Sequence, residues 1–355
     1  MHQTKTQAGL TGKKLLIITF DYELFLGERS GNVQQCLISP TDKLLAHLDK
    51  YAFKSIFFVD TIYLLRLREQ AAVSSLAKAD LEAITNQLVR MLNSGHEIHP
   101  HLHPHWIDAV YDPKINEWCL PDKRYYTFAA LPEEKRTELF DQSVDLIRSV
   151  MGMAKQTHPV DAYRAGGWSI QSFDNFRPHF LKHGIVHEFS VIPGRYLYSD
   201  AHHFDFRNAP IDRPVYHFSR DVCERDNQGG FTEWTISSLP RTAMQQWIYF
   251  KINGMLHRLH ICGKFAGKAI AFNVKEQGDI YNRGKATRQI ASFEGLNPYQ
   301  VMRFVRRIKR QDYFQFISHP KLLNEFELKM VGLLLSSLSK NRRINTDFRK
   351  YVKVD

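Results

Sequence analysis

The chain alternates short, continuously apolar runs with longer stretches of helical apolar period. Lys13-Lys14-Leu15-Leu16-Ile17-Ile18-Thr19-Phe20-Asp21 reads as a buried strand that delivers Asp21, Tyr22 and Glu23 at its C-terminal end. Pro40-Thr41-Asp42 opens an amphipathic helix with Leu44, Leu45, Leu48 and Tyr51 on one face. Ser55 to Asp60 is a second buried strand. Residues 79–94 form another helix closed by Asn93-Ser94-Gly95, and the run from Gly95 begins a third strand. The rhythm continues with a helix at about 132–151, a strand at about 160–164, a helix at about 171–183 and a strand over Ile185 to Val191.

Residues 193–240 are turn-rich, with short strands such as Phe231 to Ile236. Residues 240–263 are helical and 264–295 polar. A helix at 297–311 leads into a buried strand from Tyr313 to Ser318, which ends at His319-Pro320 before a last helix at about 321–338. Repeated βα units with continuous hydrophobic strands predict an α/β fold, a parallel sheet covered outside by helices. The expected layout is a flexible N-terminus over 1–12, a single (β/α) domain over 13–338 with a loop-rich insertion at about 193–300, and a basic tail over 339–355.

Composition bounds the function classes. The 355 residues are 43% hydrophobic and 12% aromatic, which suits a sizeable core. No apolar run reaches the roughly 18 residues of a membrane-spanning helix. No secretory h-region follows Met1, so the cytoplasm is the expected compartment. Cys36, Cys119, Cys223 and Cys262 are widely spaced and read as free thiols. The formal charge of +11 favours an anionic partner: nucleic acid, a phosphorylated metabolite or a membrane surface. Much of the excess is local, in Arg303, Arg306, Arg307, Lys309 and Arg310 and again after Lys340. That helix lacks interleaved aromatics, so nucleic acid is not the expected partner.

The densest chemistry is Gly95 to Trp106, where five of the 17 histidines (His96, His99, His101, His103, His105) fall within eleven residues. Two histidines four apart at a strand exit, joined by a carboxylate, make a mixed nitrogen–oxygen site with open positions for water and substrate. His101/His105 and His99/His103 share that spacing, and spacing does not choose between them. Asp21 and Glu23, two apart on a strand, share a face. Asp21/Glu23, the histidines, Arg164 and His319 all fall at strand C-terminal ends, where parallel barrels keep their chemistry. Trp106, Trp168 and Tyr126 could stack on a sugar ring or belong to the core.

These residues carry a resemblance. Thr19-Phe20-Asp21-Tyr22-Glu23 resembles the first motif of the polysaccharide deacetylase family, usually Thr-Phe-Asp-Asp. Gly95-His96-Glu97-Ile98 with His101 and His105 is similar to its histidine motif. Tyr163-Arg164-Ala165-Gly166-Gly167-Trp168 resembles the arginine motif, His187 to Val191 sits at the next, and Ile317-Ser318-His319-Pro320 looks like the last.

The resemblance implies a distorted (β/α) barrel, a divalent metal (commonly zinc) and hydrolysis of an N- or O-acetyl group on a sugar. It implies His101 and His105 as metal ligands, Asp21 as general base, Arg164 to orient it and His319 as general acid. Gly167, with Gly166, would hold the oxyanion, and Trp168 would meet substrate. The usual second aspartate is Tyr22 here, which makes Glu23 the third ligand; Asp21 on the metal stays open. The expected substrate is a carbohydrate; nucleotide- and lipid-linked sugars are the candidates, and the basic charge is compatible with membrane-surface contact. A glycan-binding barrel without catalysis, or an amidohydrolase on a non-sugar amide, are the alternatives.

Overall fold

A computed structural model describes residues 14–259, 274–276 and 288–351. The expected flexible N-terminus, Cys262 and most of the polar segment 264–295 lie outside the described residues. The main sheet has nine strands: β1 (Lys14–Tyr22), β2 (Ile56–Asp60), β3 (Glu97–Leu102), β4 (Ala162–Ala165), β5 (His187–Glu188), β6 (Val215–Phe218), β7 (Phe231–Trp234), β8 (Tyr313–Ser318) and β9 (Ile344–Asn345). Seven run parallel in the order β8-β1-β2-β3-β4-β5-β7, with β6 antiparallel on β7 and β9 beside β1.

The two ends of the sheet meet without a regular ladder. Ser237 N donates to Gln315 O (3.3 Å), Gln315 N to Ser237 Oγ (3.0 Å) and Tyr313 Oη to Thr235 O (2.8 Å). The chain leaving β7 thus bridges to β8 and closes a distorted (β/α) barrel. Phe231 to Ile236, placed by sequence inside an insertion, therefore supplies the seventh barrel strand.

Alternation along the strands sorts the side chains into two layers. In β1, Leu16, Ile18, Phe20 and Tyr22 face the helices, whereas Leu15 and Ile17 pack with Ile56, Phe58, Ala162, Phe189 and Trp234 inside the barrel. The outer layer is α1 (Ser39–Lys50), α2 (Thr61–Ala71), α3 (Ser75–Asn93), α4 (Glu133–Met151), α5 (Arg177–His183), α6 (Ala243–Arg258), α7 (Pro298–Ile308) and α8 (Glu325–Ser339). Sequence periodicity misses α2 because its first turns are buried all round: Thr61, Ile62, Tyr63, Leu64, Leu65 and Leu67.

Two further expectations change. The strand over 185–191 is ordered as ladder only at His187–Glu188. Beyond it, side chains take over: Ser190 N and Oγ donate to the Glu188 carboxylate, and Val191 N donates to Glu233 Oε1. Within the expected basic tail, Phe348 is buried at the N-terminal end of the barrel, and Arg349 pairs with Glu97 and Asp161.

Candidate metal centre

The inward register that builds the barrel interior continues into charge at its C-terminal end. On β1, Thr19 and Asp21 follow Ile17 on the inner face, with Glu23 next. Asp60 ends β2, His101 lies in β3 with His103 just beyond, and Arg164 lies in β4. Pairing aligns Asp60 with His101 and His101 with Arg164. His319 follows β8 immediately. Tyr22 points the other way, into the helix layer, where its hydroxyl donates to Gln87 Oε1 at 2.8 Å. The residue standing where the family usually has aspartate is thus outside the site, and Glu23 is the carboxylate that reaches in.

Arg164 is fully buried and committed at every nitrogen: Nη1 to Asp21 Oδ1 (2.7 Å), Nη2 to Thr19 Oγ1 (2.7 Å) and Nε to Phe189 O (3.0 Å). Burial alone would raise the Asp21 pKa, but Arg164 foremost, with His101 and His319, holds it below the usual value. Asp21 is thereby kept ionised, and its Oδ2 faces His319 Nε2 at 3.5 Å and His101 Nε2 at 4.0 Å.

Three potential ligand atoms converge beside it. Glu23 Oε2 lies 2.7 Å from His103 Nε2 and 3.5 Å from His101 Nε2, and the two imidazole nitrogens are 3.0 Å apart. All three residues are buried. Glu23 Oε2 meets both rings without a well-aligned hydrogen bond, as expected of atoms aimed at a common point. His101 Nδ1 lies 2.8 Å from Arg164 O, an acceptor only, so Nδ1 carries a proton and Nε2 is the atom turned toward Glu23 and His103. This donor set, two imidazoles and a buried carboxylate, fits a divalent ion.

Of the site residues expected from sequence, Asp21, Glu23, His101, Arg164 and His319 are brought together. His105 is not in the converging group. It stacks on Tyr126 (ring centroids 5.5 Å apart) with both nitrogens buried and unpartnered; burial first, then His103, pushes its pKa well below the usual value. The strand alternation puts His103, two residues from His101, where the motif spacing points to His105. Gly166 abuts the site: a Cβ there would come 2.9 Å from His103 Nδ1 and 2.3 Å from Leu102 O. Gly167 has φ +59° and its carbonyl meets His202 Nε2, while Trp168 packs edge-on against Phe204.

Three site residues went unread in the sequence. Glu294 Oε1 accepts from both His319 N (2.8 Å) and His319 Nδ1 (2.9 Å), fixing the ring with Nε2 toward Asp21 and Glu23. Burial would lower the His319 pKa, but Glu294 above all raises it above the usual value. Lys321 Nζ donates to Glu23 Oε1 (2.9 Å) and Leu24 O (2.6 Å), leaving Oε2 free to point inward. Burial raises the Glu23 pKa, and Lys321 and His103 outweigh it, so the carboxylate stays ionised. Asp60 accepts from Trp106 Nε1 and caps α2 at Tyr63 N; burial lifts its pKa to about 6. An aspartate closing a buried strand was a readable signal for Asp60. Glu294 lies in a segment without periodicity and had none.

No protein-family model and no curated protein matches the sequence. Among solved structures, the chain is similar to a candidate polysaccharide deacetylase from Mycobacterium smegmatis (11% identity, TM-score 0.46, 94% of this chain and 87% of that one). It is also similar to a candidate glycoside hydrolase/deacetylase from Parabacteroides distasonis (13% identity, TM-score 0.48, 93% and 67%). A third is a mutant of the peptidoglycan deacetylase PdaC from Bacillus subtilis (11% identity, TM-score 0.36, 94% and 87%). At such identities the side chains of the site carry the functional reading.

Proposed function

We infer that the protein is a metal-dependent hydrolase that removes an acyl group, N- or O-acetyl, from a sugar. The observation that carries this reading is the convergence of Glu23 Oε2, His101 Nε2 and His103 Nε2, flanked by an ionised Asp21 and a Glu294-oriented His319. The ligand set is Glu23, His101 and His103, and two imidazoles with one carboxylate favour zinc. A bound divalent ion would polarise the acyl carbonyl and acidify a water toward a pKa of about 7.

The chain's own residues supply the proton traffic. Asp21, locked by Arg164, accepts the proton of the attacking water through Oδ2. His319, its Nδ1–H held by Glu294, carries a proton on Nε2 and delivers it to the departing amine or alkoxide. A base and an acid beside one carboxylate-histidine cluster, with Asp21 Oδ2 and His319 Nε2 3.5 Å apart, allow direct hydrolysis without a covalent acyl-enzyme. The Gly166-Gly167 turn, which touches His103 and His202, borders the place where the oxyanion would form.

Acetate release from N- and O-acetylated sugars, with the ion removed by chelation and then restored, tests the reading. Activity lost with the ion and regained with zinc supports it. A protein that binds glycans but releases no acetate, or that hydrolyses small non-sugar amides in preference, would replace it with one of the two alternatives.

A further inference from the structure

Helix α6 is built inside out. An ordinary surface helix turns its apolar stripe to the core. In α6 the inward contacts are largely polar. Gln246 is buried, Asn253 Oδ1 accepts from Asn297 Nδ2 (3.1 Å), and Tyr249 Oη sits so close to Gly295 that a Cβ there would lie 2.2 Å away. Leu256 is turned in with them. The large apolar side chains face out: Met244 is 69% exposed, Trp247 61%, Phe250 50%, Met255 54% and the following Leu259 60%. At about 100° per residue, Met244, Trp247, Lys251, Met255 and Arg258 share one sector, with Phe250 and Leu259 at its margins.

The charges that the helix itself carries have one sign. Lys251 Nζ lies 5.6 Å over the Trp247 ring, Arg258 is exposed, and Ala243–Arg258 contains no Asp or Glu. Arg303 Nη2 donates to Pro240 O (3.1 Å), which sets α7 beside the start of α6. α7 and the turn after it bring the exposed Arg306, Arg307, Lys309 and Arg310, none with a carboxylate partner among the described residues.

We propose that α6 docks the protein on an anionic lipid bilayer. Trp247, Phe250 and Met255 enter the boundary between headgroups and acyl chains, and Lys251, Arg258 and the α7 cations meet the lipid phosphates. A protein partner would need an acidic rim around an apolar groove; a bilayer with anionic headgroups offers that chemistry without a matching shape. Docking would also place the membrane near the site, since the inner face of α6 rests on Gly295, beside the Glu294 that holds His319. The proposal stands whether or not the hydrolase reading does.

Cosedimentation of the full chain with phosphatidylcholine vesicles, and with vesicles containing phosphatidylglycerol, tests it. Binding to the anionic vesicles is expected to be at least tenfold tighter and to weaken with salt. Trp247→Glu/Phe250→Glu and Lys251→Glu/Arg258→Glu are each expected to weaken it at least tenfold with the thermal midpoint unchanged, since these side chains are exposed. Absence of binding to anionic vesicles, or equal binding by the variants, overturns the proposal. So does a wild-type dimer, seen by sedimentation equilibrium, that the apolar double variant dissolves, because a second copy would then cover the face.

Discussion

The two ends of the barrel carry histidine–carboxylate clusters built on the same inward face of β3, with different outcomes. At the N-terminal end, Glu97 lies 3.0 Å from His99 Nε2 and is gripped by Arg349. His158 is spent on its surroundings, accepting from Ile98 N and meeting Pro159 O. At the C-terminal end, two residues further along, His101 and His103 converge on Glu23 Oε2, at 3.5 and 2.7 Å. Both groups bring three potential ligand atoms together. The difference is the cation: a guanidinium already neutralises Glu97, while Lys321 takes only the far oxygen of Glu23. One cluster ties Arg349 to the barrel, and the other turns three potential ligand atoms toward one another.

The sharpest break of this comparison is to remove one histidine at the upper end. His101→Ala should lower kcat/KM for acyl hydrolysis by about 10³ or more, since the proposed ion supplies much of an enhancement that enzymes place at roughly 10⁶ or above. Loss of bound metal should accompany it, with the fold intact by circular dichroism. At the lower end, Arg349→Ala should do the converse, leaving metal content in place. Its cost should be about 2–3 kcal/mol by denaturant titration, less than the roughly 3–5 kcal/mol of a fully buried pair, because Arg349 is a quarter exposed.

Smaller effects sharpen the picture. Glu294→Gln removes the acceptor that orients His319 and should cost about 10–100-fold in kcat, the scale of an outer partner in such sites, with metal content unchanged. Equal loss of metal would show that Glu294 only supports the fold.

The smallest effect concerns the buried Glu188 and Glu233, paired across neighbouring strands. Burial first, and for Glu233 then the repulsion of Glu188, raises both pKa values above the usual 4.5. Raised acids contribute stability that is complete below the unfolded-state pKa and is lost as pH climbs through the folded one. The stability that this pair contributes should therefore decline above about pH 4.5, and Glu233→Gln should remove that decline. A variant Tm above wild type at pH 8 and no higher at pH 4 is the expected result in a thermal scan.

Much of this arrangement was legible in the chain itself. Continuous apolar runs located β1, β2 and β8 because strands buried on both faces leave no other pattern, the histidine run from Gly95 marked β3, and each ended in residues that meet at the site. Period-two alternation was enough to put Asp21 and Glu23 on one side and Tyr22 on the other. The same rule could have paired His101 with His103, but the motif's four-residue spacing pointed to His105. Contacts between residues far apart in sequence were out of reach. Lys321 finds Glu23, and Glu294 finds His319, only through barrel closure, and α2 hid because its first turns are buried all round.

The ligand set is the central claim, and metal content of two single variants tests it most directly. Elemental analysis of purified wild type, His103→Ala and His105→Ala, each loaded with zinc and desalted, should find a stoichiometric ion in the first and third and little in the second. An ion retained by His103→Ala and lost by His105→Ala would contradict the account.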